Sequence, residues 1–327
     1  MNTFKLATAA MAAIILSPLP TSAFEPTNVQ CVAPADPGGG LDFACRTIGR
    51  ILSELDLVKG TVQTLNMPGG TGAVAFGYLK SKKAGDPNTM VTGSTIHVTQ
   101  IAQGKYPGKY DDVRWTAMIG ADVGAISVSK NSTLQTLADL AKVIKETPGS
   151  LAVAGGSAIG GWDHIRFLMF ARAAGLSAEE MKKIKWVQFD AGGPAVTQMM
   201  GGHIDVLLVD LSELVGFIQS GDVRILSVLS ENPLPDPWDK LPTARQQGFE
   251  AVGYNWRGFY LGNEVSDDDY KAWVDIFDKV YKSPNWQKAA KDYGLMPLWK
   301  GGAEFEASIK AAVEETRDLS KAIGVIQ

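Results

Sequence analysis

The sequence predicts an α/β protein of two domains, with a cleft between them and two strands that cross from one domain to the other. The chain has 327 residues, 45% hydrophobic and 20% charged, so it can bury two separate cores. Short β-branched runs alternate with longer amphipathic segments, which is typical of sheets covered by helices. From Ser266 onward the patterns are helical only.

The first alternation predicts the first domain. Its elements are strands at 29–34, 61–67 and 89–93 and helices at 42–55, 72–82 and 95–103. This order favours a parallel sheet with helices on both faces. The apolar run at 118–128 is predicted as a strand that leaves this domain.

The second alternation predicts the second domain. Its elements are helices at 136–146, 162–174, 194–200 and 211–220 and strands at 151–154, 184–189, 204–209 and 223–229. A segment with three prolines, 231–239, ends this pattern.

The end of the chain is predicted to return to the first domain. A strand-like aromatic run at 255–261 precedes the helical tail, and helices alone cannot form a third sheet. The chain would therefore cross between domains near Ser127 and near Asn255, and two crossing strands beside a cleft form a hinge. The predicted domains are residues 24–126 plus 255–327 and residues 127–254.

Residues 1–23 are typical of a secretory signal peptide that is cleaved after Ala23. Lys5 supplies the positive charge, and an uncharged apolar run follows at 6–19. This run is shorter than the ~20 residues that a membrane span requires, which favours cleavage over anchoring. We therefore expect an exported protein.

The charge of the exported chain argues against several classes of partner. Loss of Lys5 leaves 30 basic and 35 acidic residues, a net charge of −5. There is no basic face or arginine-rich run, so neither nucleic acid nor anionic lipid is an expected partner. An anion would have to be bound by local dipoles, because the overall field repels it.

Cys31 and Cys45 are expected to form a disulfide, because an exported protein meets oxidising conditions. The bond would close a loop of about 15 residues and stabilise the fold by about 3 kcal/mol. Two free buried thiols are the alternative. His97, His164 and His203 are not closely spaced, so no metal site is expected.

Three glycine-rich turns, at 37–42, 68–72 and 155–161, each follow a predicted strand and open a predicted helix. Their free N–H groups and the positive end of the helix dipole favour anions. One such turn would be an ordinary loop, but three at strand carboxyl ends predict a shared anion cleft. The predicted contacts are Pro37, Gly38, Gly39, Gly40, Asp42, Gly69, Gly70, Thr71, Gly72, Ser157, Ala158 and Gly160.

Further candidates stand at other strand ends. Gly192 and Gly193 open another helix of the second domain and offer free N–H groups. Asp210 is predicted mainly as a helix N-cap and secondarily as a ligand contact. Ser94 and Thr95 could serve a carboxylate or cap the next helix, and the sequence leaves both open.

Arg257 is a charged residue in an otherwise apolar strand. One solution for it is a bidentate pair with a ligand carboxylate. The other is a buried pair with a protein carboxylate at the hinge. The sequence does not decide between them.

The sequence does not match the motifs of an enzyme well. Residues 70–75 match a dinucleotide fingerprint loosely, but no acidic residue ends the next strand, so no cofactor is expected. A serine hydrolase would need a glycine where Ile159 stands, two residues after Ser157. His164 lies on the following helix, a poor position for a general base. We therefore predict a binding protein and not an enzyme.

Several motifs resemble those of the periplasmic receptors of the tripartite tricarboxylate transporters, and the citrate-type branch most closely. The similar segments are 31–42, 67–75, 111–115, 210–213, 230–232, 242–248 and 257–260. The similarity extends from Cys31 to the C-terminal helices. Arg257, and Met67-Pro68 where many relatives carry Asn-x-Pro, favour the citrate-type branch.

The resemblance implies a periplasmic-binding-protein fold of class II type and a monomer in the periplasm. It implies a small organic anion as ligand, a citrate-like tricarboxylate first, and delivery to an integral-membrane permease. Other acids of the wider family, namely dicarboxylates, aromatic acids and amino acids, remain alternatives, as does a sensor that feeds a signalling partner. An exported hydrolase is the remote alternative.

Overall fold

The computed structural model describes residues 24–322, 325 and 326, so the predicted signal peptide at 1–23 lies outside it. The strands are β1 (Thr27–Ala33), β2 (Lys59–Asn66), β3 (Thr89–Ser94), β4 (Val113–Ser129), β5 (Ala152–Gly155), β6 (Lys185–Gln188), β7 (Val206–Asp210), β8 (Val223–Val228), β9 (Tyr254–Gly262) and β10 (Lys300–Gly301). The α-helices are α1 (Gly40–Glu54), α2 (Ala73–Lys82), α3 (Thr95–Ala102), α4 (Leu137–Glu146), α5 (Trp162–Ala173), α6 (Ala178–Met181), α7 (Gly192–Met200), α8 (Val215–Gln219), α9 (Asp267–Lys282), α10 (Pro284–Asp292) and α11 (Gly302–Ala322).

The first sheet has the strand order β2-β1-β3-β9-β4. Strand β1 runs parallel to β2 and β3, but β9 runs antiparallel to both of its neighbours. The sheet is therefore mixed, where the sequence predicted a parallel one. The reason is that β9 comes straight back from the second half of the chain without a crossover helix, so its direction is reversed.

Strand β4 joins the first sheet to a second one. Its residues Val113 to Val123 pair with β9, and Gly124 to Ser129 pair with β7 and β8. Strands β5 and β6 complete the second sheet, in the order β6-β5-β7-β4-β8. The change of partner comes at Gly124, slightly before the predicted crossing near Ser127.

The helical tail packs on the first sheet, as the sequence predicted. Trp273, Phe277 and Trp286 of α9 and α10 share a buried cluster with Cys31 of β1 and Phe259 of β9. Helix α11 covers the first sheet through Phe305, Ile309 and Val313, which pack with residues of β3 and β9. No helix among the described residues is long and apolar enough to cross a membrane.

The disulfide between Cys31 and Cys45 is confirmed, with 5.7 Å between the two Cα atoms. It ties β1 to α1, whose Ile48, Ile51 and Leu52 are fully buried. The start of α1 is thus fixed at the end of β1. This matters because that end of the helix faces the second sheet.

The predicted helix at 211–220 is broken in the structure. A 3-10 turn at Leu211–Glu213 follows β7 directly, and α8 begins only at Val215. The break leaves Glu213 at the end of a short turn, close to the carboxyl end of β7.

Candidate functional site

A small cavity lies where the two sheets meet. Its volume is about 30 Å³, roughly the space of one water molecule, whereas ligand pockets start at about 300 Å³. The first sheet and its helices contribute Pro34, Ala35, Gly39, Gly40, Leu41, Thr71, Ile96 and Arg257. The second sheet and its helices contribute Gly156, Asp163, Asp190, Ala191, Asp210 and Glu213. Entry of an organic acid would therefore require the two sides to separate.

The two sides of the cleft come into contact at Gly39. A Cβ atom at Gly39 would lie 2.9 Å from the Cβ of Ala191 across the cleft. The backbone of Gly39 has φ −80° and ψ 163°, which any residue adopts, so the requirement for glycine there is one of space. A side chain at this position would keep the two sides apart.

One carboxyl group bridges the cleft. The backbone N–H of Gly40, at the start of α1, donates to Oε1 of Glu213 over 2.8 Å. The N–H of Gly192, at the start of α7, donates to the same oxygen over 3.2 Å, and the N–H of Asp210 donates to Oε2 over 3.2 Å. Two helix N-termini, one from each side, thus converge on a single carboxyl oxygen.

Asp42, a predicted ligand contact, shapes the first turn instead. Its carboxylate accepts hydrogen bonds from the N–H of Gly38 (3.0 Å), from Nε of Arg46 and from Nδ2 of Asn66 (2.8 Å). Burial would raise the pKa of Asp42, but these three donors outweigh it and hold that pKa below its ordinary value. Asp42 does not line the cavity.

Pro37, Gly38 and Gly193 face each other beside the cavity. A Cβ atom at Gly193 would lie 3.7 Å from the carbonyl oxygen of Pro37 and 3.8 Å from that of Gly38. None of the three lines the cavity itself. They form its rim.

The second turn is conformationally unusual. Gly69, Gly70, Thr71 and Gly72 all have positive φ, and Thr71 has φ 53°. A β-branched residue is rarely held in this region, and such strain clusters at functional sites. Only Thr71 of this turn lines the cavity, because the three glycines provide the turn's shape.

The third turn does not present the predicted contacts. The Oγ of Ser157 accepts from the N–H of Asp163 over 3.2 Å, and this serine is fully buried. The N–H of Gly160 donates to Nδ1 of His164 over 3.0 Å. Ser157, Ala158 and Gly160 do not line the cavity, although Gly156 of the same turn does. The carbonyl oxygen of Gly160 accepts from Nε2 of Gln103 over 2.7 Å, and that of Ile159 accepts from Nζ of Lys105 over 3.2 Å, so this turn contacts the first half beside the cavity.

Ser94 and Thr95 also serve the protein rather than the cavity. The Oγ of Ser94 accepts from the N–H of Ile96 over 3.3 Å, which is the predicted helix cap. The N–H of Thr95 donates to Oδ1 of Asn255 over 3.1 Å. Of this segment only Ile96 lines the cavity.

Arg257 is paired with protein carboxylates at the point where the two sheets join. Its Nη2 donates to Oδ2 of Asp122 over 3.2 Å and to Oδ2 of Asp210. The Nε of Arg257 is buried and has no hydrogen-bond partner among the described residues. Because a Cβ at Gly40 would lie 2.2 Å from Nη2, this guanidinium sits directly beneath the first turn.

Asp210 holds the predicted N-cap position of the 3-10 turn at Leu211–Glu213, where its N–H donates to Oε2 of Glu213 in a capping box. Its side chain also takes part in a buried ion-pair network. Its two oxygens accept from Nη1 of Arg166 over 2.8 Å, from Nδ2 of Asn255 over 2.7 Å and from Arg257. Asp210 therefore joins two arginines into one buried network.

The network contains more acids than bases. Arg166 also pairs with Asp163, so the acids Asp122, Asp163, Asp210 and Glu213 face the bases Arg166 and Arg257. Burial, and then Asp210, raises the pKa of Asp122 to about 7. Burial, and then Asp210 and Asp163, raises the pKa of Glu213 to about 8. Both shifts favour the protonated form of the group, which brings the network closer to charge balance.

Asp210 shows the opposite behaviour. Burial would raise its pKa, but Arg257 and Arg166 outweigh burial and hold it below the ordinary value. Asp210 is therefore the ionised centre of the network, and its two arginine partners stay charged beside it.

Sequence reasoning missed Asp122, Asp163, Arg166 and Glu213. A signal existed for Asp122, a single charge within the apolar run at 118–128. Asp163 and Arg166, three residues apart on one helix face, offered another. Glu213 had no such signal, because its role depends on residues 173 positions away.

Comparison with known proteins identifies the family. The family model described as the tripartite tricarboxylate transporter family receptor matches residues 56–325. Protein BugT of Bordetella pertussis is 25% identical over 248 residues, which cover 74% of this chain and 72% of that protein.

Solved structures share the fold. MatC from Rhodopseudomonas palustris, solved with bound malate, has a TM-score of 0.78 at 18% identity and covers 90% of this chain and 99% of its own. An R. palustris protein solved with adipate has a TM-score of 0.80 at 21% identity and covers 91% and 97%.

These likenesses establish the α/β periplasmic-binding-protein fold for this chain. Members of the matched family are solute-binding receptors and not enzymes, and they bind small organic acids for tripartite transporters. The chain belongs to the receptor family of the tripartite tricarboxylate transporters.

Proposed function

We propose that this chain captures a small organic polycarboxylate between its two sheets and delivers it to the membrane permease of a tripartite transporter. One observation carries the proposal. The N–H groups of Gly40 and Gly192, at the starts of α1 and α7, converge on one carboxyl oxygen from opposite sides of the cleft. A ligand carboxylate in that position would hold the two sides together.

A citrate-like tricarboxylate is the first candidate. The similarity of residues 67–75 and of Arg257 to the citrate-type branch supports it. So does the buried Nε of Arg257, which has no partner within the described part of the chain. An additional ligand carboxylate near this guanidinium would gain a charge-assisted hydrogen bond.

A dicarboxylate is the second candidate, and the buried charge favours it. The two arginines of the network are already paired with its acids, and the pKa values of Asp122 and Glu213 are raised by burial and by these neighbours, so no arginine of the network is left to balance a further ligand carboxylate. The solved relatives with malate and with adipate are in keeping with this smaller charge.

The two predicted domains, 24–126 plus 255–327 and 127–254, are the bodies that we propose to move. Strand β4 changes sheets at Gly124, and β9 begins at Tyr254 on the same side, so rotation about these two strands would open the cleft. Opening would expose the N–H groups of Gly40 and Gly192, together with the Thr71 turn, to solvent. We propose a monomer, with Ser157, Ala158, Gly160, Ser94, Thr95 and Asp42 in supporting positions.

Calorimetry on the exported chain, residues 24–327, tests the function. The panel would be citrate, tricarballylate, malate, succinate, adipate and glutamate. We expect citrate or tricarballylate to bind at least about tenfold more tightly than the dicarboxylates, a difference of about 1.4 kcal/mol. Tighter binding of malate or succinate would establish the second candidate, and no binding by any acid would refute the proposal.

Delivery to a permease needs a separate test, because a sensor would bind the same ligands. Uptake of the radiolabelled acid into vesicles that carry the cognate permease should require this protein. Binding without any stimulation of uptake would favour the sensor.

A further inference from the structure

We propose that Glu213 is a specificity-determining residue: its carboxyl group occupies the position of a ligand carboxylate and must be displaced when the ligand binds. The inference rests on the proposed function. It follows from where Glu213 lies, what it contacts and how weakly its surroundings favour it there.

The position is that of a ligand, although the group belongs to the chain. Glu213 comes from the turn after β7, yet its Oε1 accepts from Gly40 of α1, 173 residues away in sequence. The same oxygen accepts from Gly192 of α7. Helices α1 and α7 have 15 and 9 residues, so both N-termini carry an effective dipole.

The surrounding backbone is shaped for this carboxyl group. A Cβ atom at Gly192 would lie 2.4 Å from Oε2 and 2.7 Å from Cδ of Glu213. Any other residue at position 192 would exclude the group. The contact therefore depends on glycine at the start of α7, which is the feature that a bound carboxylate also needs.

The surroundings of Glu213 weaken the hydrogen bonds that its carboxyl group accepts. Burial, and then the nearby Asp210 and Asp163, raises the pKa of Glu213 to about 8. A protonated carboxyl group accepts weaker hydrogen bonds than an ionised one. A ligand with an ionised carboxylate would make stronger hydrogen bonds to the two N–H groups than Glu213 does, and it would meet the same neighbouring acids, so the remaining affinity must come from its other contacts in the cleft.

Glu213 lies nearer to solvent than the rest of the network. It belongs to a short turn and keeps part of its surface in contact with solvent, unlike the buried Arg257 and Asp122, so its side chain can leave the cleft when the two sides separate. Competition of this kind selects ligands. A solute without a carboxylate could not replace Glu213 at Gly40 and Gly192. The cleft would then stay closed, with the Glu213 side chain still bonded to both N–H groups.

Two variants separate occupancy from charge. Glu213→Gln keeps the group uncharged at every pH and keeps an oxygen that accepts from both N–H groups, whereas Glu213→Ala removes the group altogether. Glu179→Ala is the control, because this exposed glutamate of the second half pairs only with Lys182 among the described residues. Binding of citrate and of succinate would be measured by calorimetry for all four proteins.

We expect Glu213→Ala to lower the Kd of whichever acid binds by at least about tenfold, since the two hydrogen bonds from Gly40 and Gly192 to Glu213 no longer compete. Glu213→Gln should gain less than Glu213→Ala, and Glu179→Ala should match the parent protein. Equal gains in affinity for both Glu213 variants would show that charge repulsion, and not occupancy of the site by the side chain, opposes the ligand. A raised Kd in Glu213→Ala would refute the proposal.

A measurement on the parent protein removes any dependence on how the variants fold. A crystal structure of the parent protein with bound acid should show a ligand oxygen at the N–H groups of both Gly40 and Gly192. Glu213 still bonded to Gly40 in that complex would overturn the inference while leaving the receptor function intact. Failure of the parent protein to bind any acid would instead overturn the proposed function.

Discussion

The first and third glycine turns look alike in sequence, but the structure uses them in opposite ways. Both follow a strand and open a helix. In the first turn the N–H of Gly40 points across the cleft to Glu213. In the third turn these N–H groups are used within the second half, where that of Asp163 donates to Ser157 and that of Gly160 to His164, and only carbonyl oxygens of Ile159 and Gly160 accept from the first half.

The difference lies in what each turn's own side chains do. Asp42 folds back on Gly38 and leaves the N–H of Gly40 free for a group from the other side. Ser157 instead takes the N–H of α5 for itself. A helix N-terminus is thus a ligand site only where the local chain leaves its N–H groups unused.

The two buried arginines extend this comparison, and their removal gives the largest expected effect on stability. Arg257 lies beneath the first turn, and Arg166 pairs with Asp163 and Asp210 on the side of the third. Arg257→Ala and Arg166→Ala should each lower the free energy of unfolding by about 3–5 kcal/mol, because each leaves buried carboxylates without their partner. Urea unfolding checks this, and a loss below about 1 kcal/mol would mean that the network does not hold the fold.

Conservative variants of the same arginines separate stability from binding. Arg257→Lys should weaken citrate binding more than succinate binding, because an ammonium cannot keep the pair with Asp210 and also turn a donor toward a third ligand carboxylate. Arg166→Lys should change both affinities equally, since Arg166 does not line the cavity. Equal losses for the two ligands in Arg257→Lys would assign Arg257 to the hinge ion pair alone.

The next largest expected effect concerns the closing of the cleft at the first turn. Gly39→Val should weaken ligand binding at least a hundredfold, about 2.7 kcal/mol, because its side chain would meet Ala191 across the cleft. The backbone conformation of Gly39 suits valine, so thermal unfolding without ligand should change little.

Ile159→Ala is the matched control in the third turn, because Ile159 is exposed and should not affect affinity. Small-angle scattering should show the radius of gyration fall with ligand in the parent protein and not in Gly39→Val. Unchanged affinity in Gly39→Val would place the ligand elsewhere.

The sequence predicted most of the fold because the fold follows local patterns. The alternation of strands and helices, the return of the helical tail and the Cys31–Cys45 bond all appear in the structure. The antiparallel direction of β9 was not predicted, whereas the crossing of β4 was expected only three residues from its observed place. The direction of β9 depends on which distant strands meet, and strand periodicity carries no information on partner or direction.

The site was predicted less completely, for the same reason. Glycine turns are visible as short motifs, so Gly39, Gly40 and Thr71 were found. Whether an N–H group is free depends on tertiary contacts, so Ser157 looked like a ligand contact although it caps its own helix. The acid excess was invisible because Asp122 and Arg257 are 135 residues apart in sequence.

The smallest predicted effect tests the structural role of the third turn directly. Ser157→Ala removes the oxygen that accepts from the N–H of Asp163, and it leaves that buried donor without its partner. The loss of a helix cap should lower the free energy of unfolding by about 1 kcal/mol. Affinity for the organic acid should stay within about twofold of the parent protein, because Ser157 does not line the cavity. Urea unfolding and calorimetry on the same sample measure both quantities. A tenfold loss of affinity at unchanged stability would instead show that Ser157 reaches the ligand once the cleft has opened, and it would return the third turn to the anion site that its glycines suggest.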